Sequence, residues 1–379
     1  MREKGDWSRA TYRDTETKTK KFGSATFVGE ERARQGKGLD SLIDPSQRGV
    51  IRESNNLLVP DGDEFILKFG VAMPVETDFD TTGSMGGNVD VAFAVLPKVQ
   101  GLLVQGANAV LRRYHTQIAT GVIQDRLDRF PYQRSQFEPD NEVERQMGLL
   151  VPERSGGDST EDYQLGLFAA AHLTSTSITR YGLRGYYFVV GDEIGRDSLD
   201  PKLLTKVFGP EVIEKAFGSK PPKSLPSTRE VAKKVLENWH GFFLQVGTNR
   251  YTKDWWTEIF GSERVIQLPT TQDLAEIQAC VIGLTEGVLD LRNAMDFLKD
   301  MEVSPAKTQK IVDAISQIPV GLQTTLPSFN RIPAAGARFA SREDIWPIGT
   351  KKDMAAKTEK TGKPGKTAKP GKKKGDFKF

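Results

Sequence analysis

Asp80, Thr82 and Ser84 alternate along a short stretch of the sequence and could bind a metal ion together. An ionised carboxylate and hydroxyl groups are hard oxygen ligands, which favour Mg²⁺, Mn²⁺ or Ca²⁺ over zinc. Strand-like residues precede Asp80, and an amphipathic stretch follows Gly87. We therefore expect the three side chains at a strand-to-helix turn, where backbone N–H groups at the helix start also face the site.

Two other segments could complete such a site, because a divalent ion generally needs more than one carboxylate to compete with water. The glycine-rich segment 155–161 carries hydroxyls and acids directly before a predicted helix, although the same residues would also serve as a simple helix cap. Asp192 follows the apolar segment 185–190, which is typical of a buried parallel strand. Since a carboxylate at the end of a buried strand seldom serves packing, Asp192 is predicted to be functional.

In this order along the chain, the motifs resemble those of the von Willebrand factor A (vWA) domain family over about residues 63–295. The family's metal-ion-dependent adhesion site takes Asp-x-Ser/Thr-x-Ser after the first strand, a Thr or equivalent oxygen from a second loop, and an Asp after a later strand. Segments 129–138 and 256–265 also resemble the family, the first of them its bacterial and phage-type members. The resemblance implies these candidate metal ligands: Asp80, Thr82 and Ser84 from the first element, Asp158, Ser159 or Thr160 as alternatives for the second, and Asp192 for the third.

The resemblance implies a metal-dependent protein–protein interaction or scaffold module rather than an enzyme. In the family, an acidic side chain of the partner commonly completes the coordination of a Mg²⁺ or Mn²⁺ ion. Members often partner AAA+ ATPases or belong to larger assemblies, so both settings are expected for this chain.

A second interpretation is a haloacid dehalogenase-like, Mg²⁺-dependent phosphatase. Asp78 and Asp80 fit the Asp-x-Asp-x-Thr signature of those enzymes, with Asp78 as nucleophile and Asp80 as general acid/base. Asp192 and Asp197 would then be the distal Mg²⁺ ligands. This interpretation leaves Ser84 and the 155–161 segment unexplained, so the adhesion-type site is favoured. Glu76 and Asp78 are unusual in a first strand that is normally apolar, and they indicate either a short strand or further members of the metal cluster.

Strand-like and helical segments alternate from residue 64 to about 298, which predicts an α/β fold with a doubly wound, mostly parallel sheet. The predicted divisions are an extended N-terminal arm (1–62), a vWA-like domain (63–300), a helix with a Pro/Gly-rich wrapping segment (301–350) and a Lys-rich tail (351–379). The predicted strands are 64–79 in more than one piece, 116–123, 185–190, 242–246 and 265–268. The predicted helices are 88–114, 141–149, 161–174, 201–217, 228–237, 255–260, 272–298 and 305–317.

The tail carries eleven lysines against three acidic residues, whereas the whole 379-residue chain has a net charge of only +3. Its composition predicts disorder and allows nonspecific contact with nucleic-acid phosphates, so a nucleic-acid-associated structural protein is a third alternative. The single cysteine, Cys280, excludes an internal disulfide framework and fits a reducing compartment. No apolar run reaches the ~18 residues of a membrane span, and a cytoplasmic location is expected.

Overall fold

A computed structural model of the chain describes residues 27–52, 58–104, 109–156 and 160–345. The predicted tail, the start of the predicted arm, and the candidate ligands Asp158 and Ser159 lie outside these residues. No helix among the described residues is long and apolar enough to cross a membrane.

The described residues form strands and helices in alternation. The strands are β1 (Ile51–Arg52), β2 (Leu58–Asp61), β3 (Glu64–Leu67), β4 (Val71–Asp80), β5 (Tyr114–Ile123), β6 (Tyr132–Arg134), β7 (Thr160–Glu161), β8 (Thr174–Ser175), β9 (Gly185–Gly191), β10 (Ile194–Gly195), β11 (Trp239–Gln245), β12 (Val265–Gln267) and β13 (Arg338–Phe339). The α-helices are α1 (Val28–Arg34), α2 (Pro45–Arg48), α3 (Asn88–Val104), α4 (Glu142–Met147), α5 (Gln164–His172), α6 (Pro201–Phe208), α7 (Val212–Phe217), α8 (Thr228–Asn238), α9 (Arg250–Phe260), α10 (Leu274–Thr285), α11 (Leu291–Asp300) and α12 (Pro305–Ile315). Short 3₁₀ turns occupy Gly83–Met85, Ser177–Tyr181, Ser262–Arg264, Thr271–Asp273, Gln323–Thr325 and Phe329–Arg331.

Six strands make the central sheet, in the order β12-β11-β9-β4-β5-β6. All neighbours are parallel except β5 and β6, which are antiparallel. Buried side chains form one apolar cluster on the face covered by α3 and α10, and a second on the face covered by α5, α6, α8 and α9. The predicted doubly wound α/β fold is confirmed, and it brings the carboxyl ends of the five parallel strands to one edge.

The central strand β4 is longer than the sequence predicts, because Pro74 lies inside it. Only Val75–Phe79 of β4 pair with β9, so at Pro74 the strand has only β5 as a partner and is locally an edge. Proline is tolerated at such a position, where its missing N–H interrupts only one side of the ladder. The whole strand is buried, and its last residue is Asp80.

Several predicted segments differ in the structure, among them helix 201–217, which is divided into α6 and α7, and helix 88–114, which ends at Val104. The predicted helix 272–298 is divided into α10 and α11, because Gly287 adopts a left-handed φ of 67° that ends the first helix.

The arm was predicted to be extended, but helix α1 begins in it at Val28. This part of the arm packs on the domain, because Phe27 is buried and its ring centroid lies 5.0 Å from that of Phe93.

Candidate metal centre

The turn after β4 holds Asp80, Thr82 and Ser84 close together. Asp80 Oδ1 accepts hydrogen bonds from the backbone N–H of Thr82 at 2.8 Å and from its Oγ1 at 2.6 Å. Thr82 Oγ1 lies 3.2 Å from Ser84 Oγ. Asp80 and Thr82 are buried and Ser84 is exposed, so the three oxygen-bearing side chains run from the end of the strand out to solvent.

The loop after β9 brings Asp192 to the same place. Ser84 Oγ donates to Asp192 Oδ1 at 3.0 Å, which joins the first and third predicted elements directly. Helix α9 fixes the backbone of this loop, because Thr252 Oγ1 donates to the carbonyl of Asp192 at 2.9 Å and Trp256 Nε1 donates to that of Glu193 at 3.1 Å. Parallel pairing of β4 with β9 explains the proximity, since both strands end at one edge.

The second predicted loop also reaches this edge. The backbone N–H of Gly83 donates to the carbonyl of Ser155 at 2.7 Å. Thr160 begins β7 and is paired in register with Ile194 of β10, just past Asp192. Thr160 is thus placed beside the third loop.

Sequence reasoning missed Glu161, which lies in the same cluster. The acid was read as part of a predicted helix beginning there, but α5 begins only at Gln164 and Glu161 is in β7. Its side chain is 2% exposed, and its Oε2 has no hydrogen-bond partner. Glu161 is close enough to the first loop for its charge to interact with that of Asp80. The only sequence signal was its place directly after Thr160, in the loop already singled out.

Tyr163 was missed as well, and it orients Asp80. Its hydroxyl donates to Asp80 Oδ2, so both carboxylate oxygens of Asp80 are engaged. The ring is buried edge-on against Phe243 and Trp256, at centroid distances of 6.3 and 5.2 Å. Because these aromatic contacts fix the tyrosine, they also fix the direction in which Asp80 points.

Carboxyl groups without a basic side chain beside them accumulate in this cluster, and the pKa of each is raised. The pKa of Asp80 is raised to about 7, mainly by burial and in part by the charge of Asp192, although hydrogen bonds from Thr82 and Tyr163 oppose the rise. Burial raises the pKa of Glu161 to about 9, and the charges of Asp80 and Asp125 add to that rise. Burial likewise raises the pKa of Asp192, against a hydrogen bond from Ser84 that lowers it.

These residues fit a bound hard cation. A cation would offset the mutual repulsion of Asp80, Asp192 and Glu161 and give the orphaned Glu161 Oε2 a partner. Within the described ranges, no three Asp, Glu, His or Cys side chains are arranged to hold a metal by themselves. The donor set is therefore mixed, with the hydroxyls of Thr82 and Ser84 beside the carboxylates, and such a set suits Mg²⁺, Mn²⁺ or Ca²⁺.

Asp78 lies outside this cluster. Neither a short strand nor membership of the metal cluster therefore explains its place in β4. The strand is not short, and Asp78 Oδ2 accepts a hydrogen bond from Tyr187 at 2.7 Å, below the site. Two glycines enclose the carboxylate, since a Cβ at Gly121 would lie 1.9 Å from Oδ1 and one at Gly166 would lie 2.2 Å from Oδ2. The carboxylate is thus fully buried, which does not favour the solvent-accessible nucleophile that the phosphatase interpretation requires.

Asp197, the other residue specific to the phosphatase interpretation, lies outside the cluster. Its exposed side chain pairs with Arg229 at 2.9 Å, at the start of α8. Asp192 instead bonds to Ser84. The predicted pairing of Asp192 with Asp197 is therefore not supported by the arrangement of the two side chains.

Glu76, the remaining acid of β4, also stays out of the cluster. Arg134 Nη2 donates to Glu76 Oε2 at 2.5 Å, and both side chains are buried. The acids along β4 therefore fall into two groups. Glu76 and Asp78 lie inside the sheet near Arg134, whereas Asp80 belongs to the site at its edge.

Comparisons with known proteins give likenesses of fold only. No family model matches the chain, and no curated protein matches it. Among solved structures, the pilus adhesin SpaC from Lactobacillus rhamnosus GG has a TM-score of 0.38 at 15% identity, covering 61% of this chain and 36% of that chain. Mussel byssus proximal thread matrix protein 1, in a structure with a zinc-occupied metal-ion-dependent adhesion site motif, has a TM-score of 0.35 at 13% identity, covering 58% of this chain and 47% of that chain.

A von Willebrand factor type A protein from Catenulispora acidiphila has a TM-score of 0.31 at 11% identity, covering 58% of this chain and 43% of that chain. This chain thus spans between 36% and 47% of the length of these three chains. Because these TM-scores are low, the support for the candidate centre comes only from contacts within this chain.

Proposed function

We propose that this chain is a metal-dependent protein-interaction module. Asp80, Thr82, Ser84 and Asp192 would hold a Mg²⁺ or Mn²⁺ ion directly or through water, with Glu161 and Thr160 on the second loop beside them. The observation that carries this proposal is the hydrogen bond from Ser84 to Asp192 over a buried Asp80, because it unites two distant loops around uncompensated carboxylates.

The exposure of the donors favours recognition over turnover. Asp80 and Thr82 are buried, whereas Ser84 is exposed and Asp192 is half-buried, so the cluster is open on its solvent side. An ion held there would offer a free coordination position to an oxygen of a partner. Hydroxyl ligands leave the ion more net positive charge than a full set of carboxylates would, which favours an anionic partner group.

The partner proposed is a protein that presents an acidic side chain. The resemblance of the loop motifs to vWA domains supports this choice, and it also supports a place in an AAA+ ATPase-associated or larger assembly. Asp80 and Tyr163 form the rigid, buried floor of the site, since neither contacts solvent. Ser84 and Asp192 form the rim that such a partner would approach.

Thermal unfolding in Mg²⁺ and in a chelator tests the proposal. A ligand at about 100 times its Kd stabilises the folded state by ~2.7 kcal/mol, which raises the Tm of a protein of this size by roughly 3–4 °C. Asp192→Asn should abolish this shift. Glu193→Gln is the matched control, because it removes the adjacent carboxylate without touching the Ser84 hydrogen bond, and its shift should match wild type. A wild-type Tm that is equal in Mg²⁺ and in chelator would contradict the proposal.

A further inference from the structure

Arg154 has an unusual backbone conformation directly before the second loop of the candidate centre. Its φ is 57°, in the left-handed region that residues other than glycine seldom occupy. The carbonyl of the next residue, Ser155, accepts the hydrogen bond from Gly83 at 2.7 Å. A Cβ placed on Gly83 would lie 3.5 Å from the carbonyl oxygen of Arg154. Arg154 therefore lies against the turn that carries Ser84.

The guanidinium group of Arg154 contacts acids from two different parts of the chain. Its two terminal nitrogens donate to the carboxylate oxygens of Asp90 at 3.0 and 2.7 Å, a paired geometry that fixes the orientation of both groups. Asp90 is in the first turn of α3, just after the turn that carries Ser84. Nη2 of Arg154 also lies 3.7 Å from Oε1 of Glu30, in helix α1 of the arm. Arg154 thus links the arm, the second loop and the start of α3.

Helix α1 also contacts the segment that precedes Arg154 at very short range. The N–H of Gly29 donates to the carbonyl of Gly148 at 3.1 Å. A Cβ on Gly29 would lie only 2.0 Å from the carbonyl oxygen of Leu149. Only glycine allows this close approach, so residue 29 determines how tightly α1 docks on the chain that leads into the second loop.

The other end of α1 is attached to the same segment through Arg129. Nη2 of this arginine donates to the carbonyls of Gly36 at 3.2 Å and Lys37 at 3.0 Å, just past the end of the helix. The backbone N–H of Arg129 donates to Oε2 of Glu153, the residue before Arg154, at 3.0 Å. Both ends of the arm helix are therefore connected to the chain that leads into the second loop.

Aromatic packing provides a second connection between the arm and Asp80. The ring centroid of Phe93 in α3 lies 5.0 Å from that of Phe27 and 5.8 Å from that of Phe79. Phe79 directly precedes Asp80 in β4, and all three rings are buried. The arm thus packs, through one intervening ring, against the strand end that carries the candidate ligand.

We propose that Arg154 and helix α1 position the second loop of the candidate centre, so that docking of the arm and binding of the metal ion favour each other. Thermodynamic linkage makes such coupling reciprocal: a docked helix that raises the affinity for the ion is itself stabilised by the bound ion to the same factor. Arg154 is a positioning residue, since it acts through the loop and not on the ion. This inference rests on the proposed function, and it adds a means by which the arm regulates the site.

Two glycine variants of the arm test the coupling in the full chain. Gly29→Ala places a methyl group against the carbonyl of Leu149 and should release α1, whereas Gly38→Ala is the matched control, because nothing lies within 4 Å of a Cβ there. Amide hydrogen exchange of residues 28–37 should be faster in Gly29→Ala, which reports the release of the helix. Calorimetric titration of Mn²⁺ should show about fivefold weaker binding for Gly29→Ala and wild-type affinity for Gly38→Ala.

Arg154→Ala tests the ion bridge, with Arg229→Ala as its control. Arg229 also bridges two acids from different elements, Asp197 at 2.9 Å and Glu258 at 2.6 Å, but it lies in α8. Arg154→Ala should weaken Mn²⁺ binding by about fivefold, and Arg229→Ala should not change it. In wild type, Mg²⁺ should slow the hydrogen exchange of residues 28–37 relative to a chelator, and Arg154→Ala should remove that difference.

The outcomes separate this inference from the proposed function. Wild-type Mn²⁺ affinity in either Gly29→Ala or Arg154→Ala would overturn the inference and leave the metal-dependent module standing. Hydrogen exchange of α1 that is equal in Mg²⁺ and in chelator, in a wild-type chain that shows the Mg²⁺-induced Tm shift, would overturn the inference as well. Absence of that shift in wild type would overturn the proposed function itself.

Discussion

The acids of β4 lie on one face of one strand, and yet they occupy two opposite environments. In the inner region, Arg134 neutralises Glu76, and the hydroxyls of Tyr187 and Tyr132 donate to Asp78. At the edge, Asp80 receives hydrogen bonds from neutral groups only, and the nearby charges are those of Asp192 and Glu161. Two residues along the strand separate a carboxyl group that shares a buried arginine with Glu76 from one that has no basic side chain beside it.

This difference shows that the surroundings of a carboxylate, rather than its presence, indicate a metal site. Burial raises the pKa of Asp78 to about 8, as it does that of Asp80 to about 7. The inner acids have an arginine beside them, although Glu76 Oε1 and Arg134 Nε lack hydrogen-bond partners. Among the described residues, no basic side chain takes that place at Asp80, where an external cation can act instead.

The largest expected effect concerns the inner region. Arg134→Met should lower the free energy of unfolding by about 3–5 kcal/mol, because it leaves a buried acidic pair without its cation. Urea unfolding measured by circular dichroism provides the value. Adding Glu76→Gln to the same chain should restore much of the loss, since it removes the uncompensated charge. A loss below about 1 kcal/mol would show that Arg134 does not compensate the charge of the inner acids.

Tyrosine variants separate the two regions at the level of one hydroxyl. Tyr187→Phe removes a donor to Asp78 and should cost about 1–3 kcal/mol of stability, with no change in Mg²⁺ affinity. Tyr163→Phe removes the donor to Asp80 and should reduce Mg²⁺ affinity about 10-fold, because the second carboxylate oxygen loses its orientation. Calorimetric titration and urea unfolding of both variants check the pair. Equal losses of Mg²⁺ affinity in the two variants would show that the inner region and the edge do not differ in metal binding.

The effect expected at neutral pH is smallest for His240, which provides a pH reference outside both regions. Burial lowers the pKa of His240 to about 3, and its Nε2 lies 2.9 Å from Gln323 Oε1. Between pH ~6.5 and ~3 the unfolded chain binds a proton at this residue that the folded chain does not, so stability falls as pH falls, by up to about 1.4 kcal/mol per unit. His240→Gln should remove that part of the slope in urea unfolding at several pH values. An unchanged slope would show that acids dominate this range.

The sequence was sufficient for the fold class and for bringing four candidate residues to one edge. Alternating strands and helices require a parallel sheet, and parallel strands place the ends of β4 and β9 together, so Asp80 and Asp192 meet as expected. Their role as metal ligands stays a prediction. Asp158 and Ser159 lie outside the described residues, and Thr160 is the one second-loop alternative that the structure places.

The rest depended on contacts between residues distant in sequence. Glu76 and Asp78 looked like anomalies in an apolar strand, because Arg134 and Tyr187 reach them only through β6 and β9. Glu161 was missed because the predicted helix began at that residue, whereas α5 begins three residues later. The local sequence pattern thus predicted the strands and helices. Which charged and polar partners surround each acid could be known only once the order of the strands in the sheet was known.

Calorimetric titration of Mn²⁺ into the full chain tests the central claim most directly, with Asp80→Asn and Asp78→Asn as a matched pair. The two substitutions each replace one carboxyl group on the same face of β4 by an amide. Wild type and Asp78→Asn should each bind one ion, and Asp80→Asn should lose at least about 100-fold in affinity while circular dichroism shows that it remains folded. Wild-type affinity in Asp80→Asn, or lost binding in a folded Asp78→Asn, would contradict the assignment of the edge carboxylate as the metal ligand.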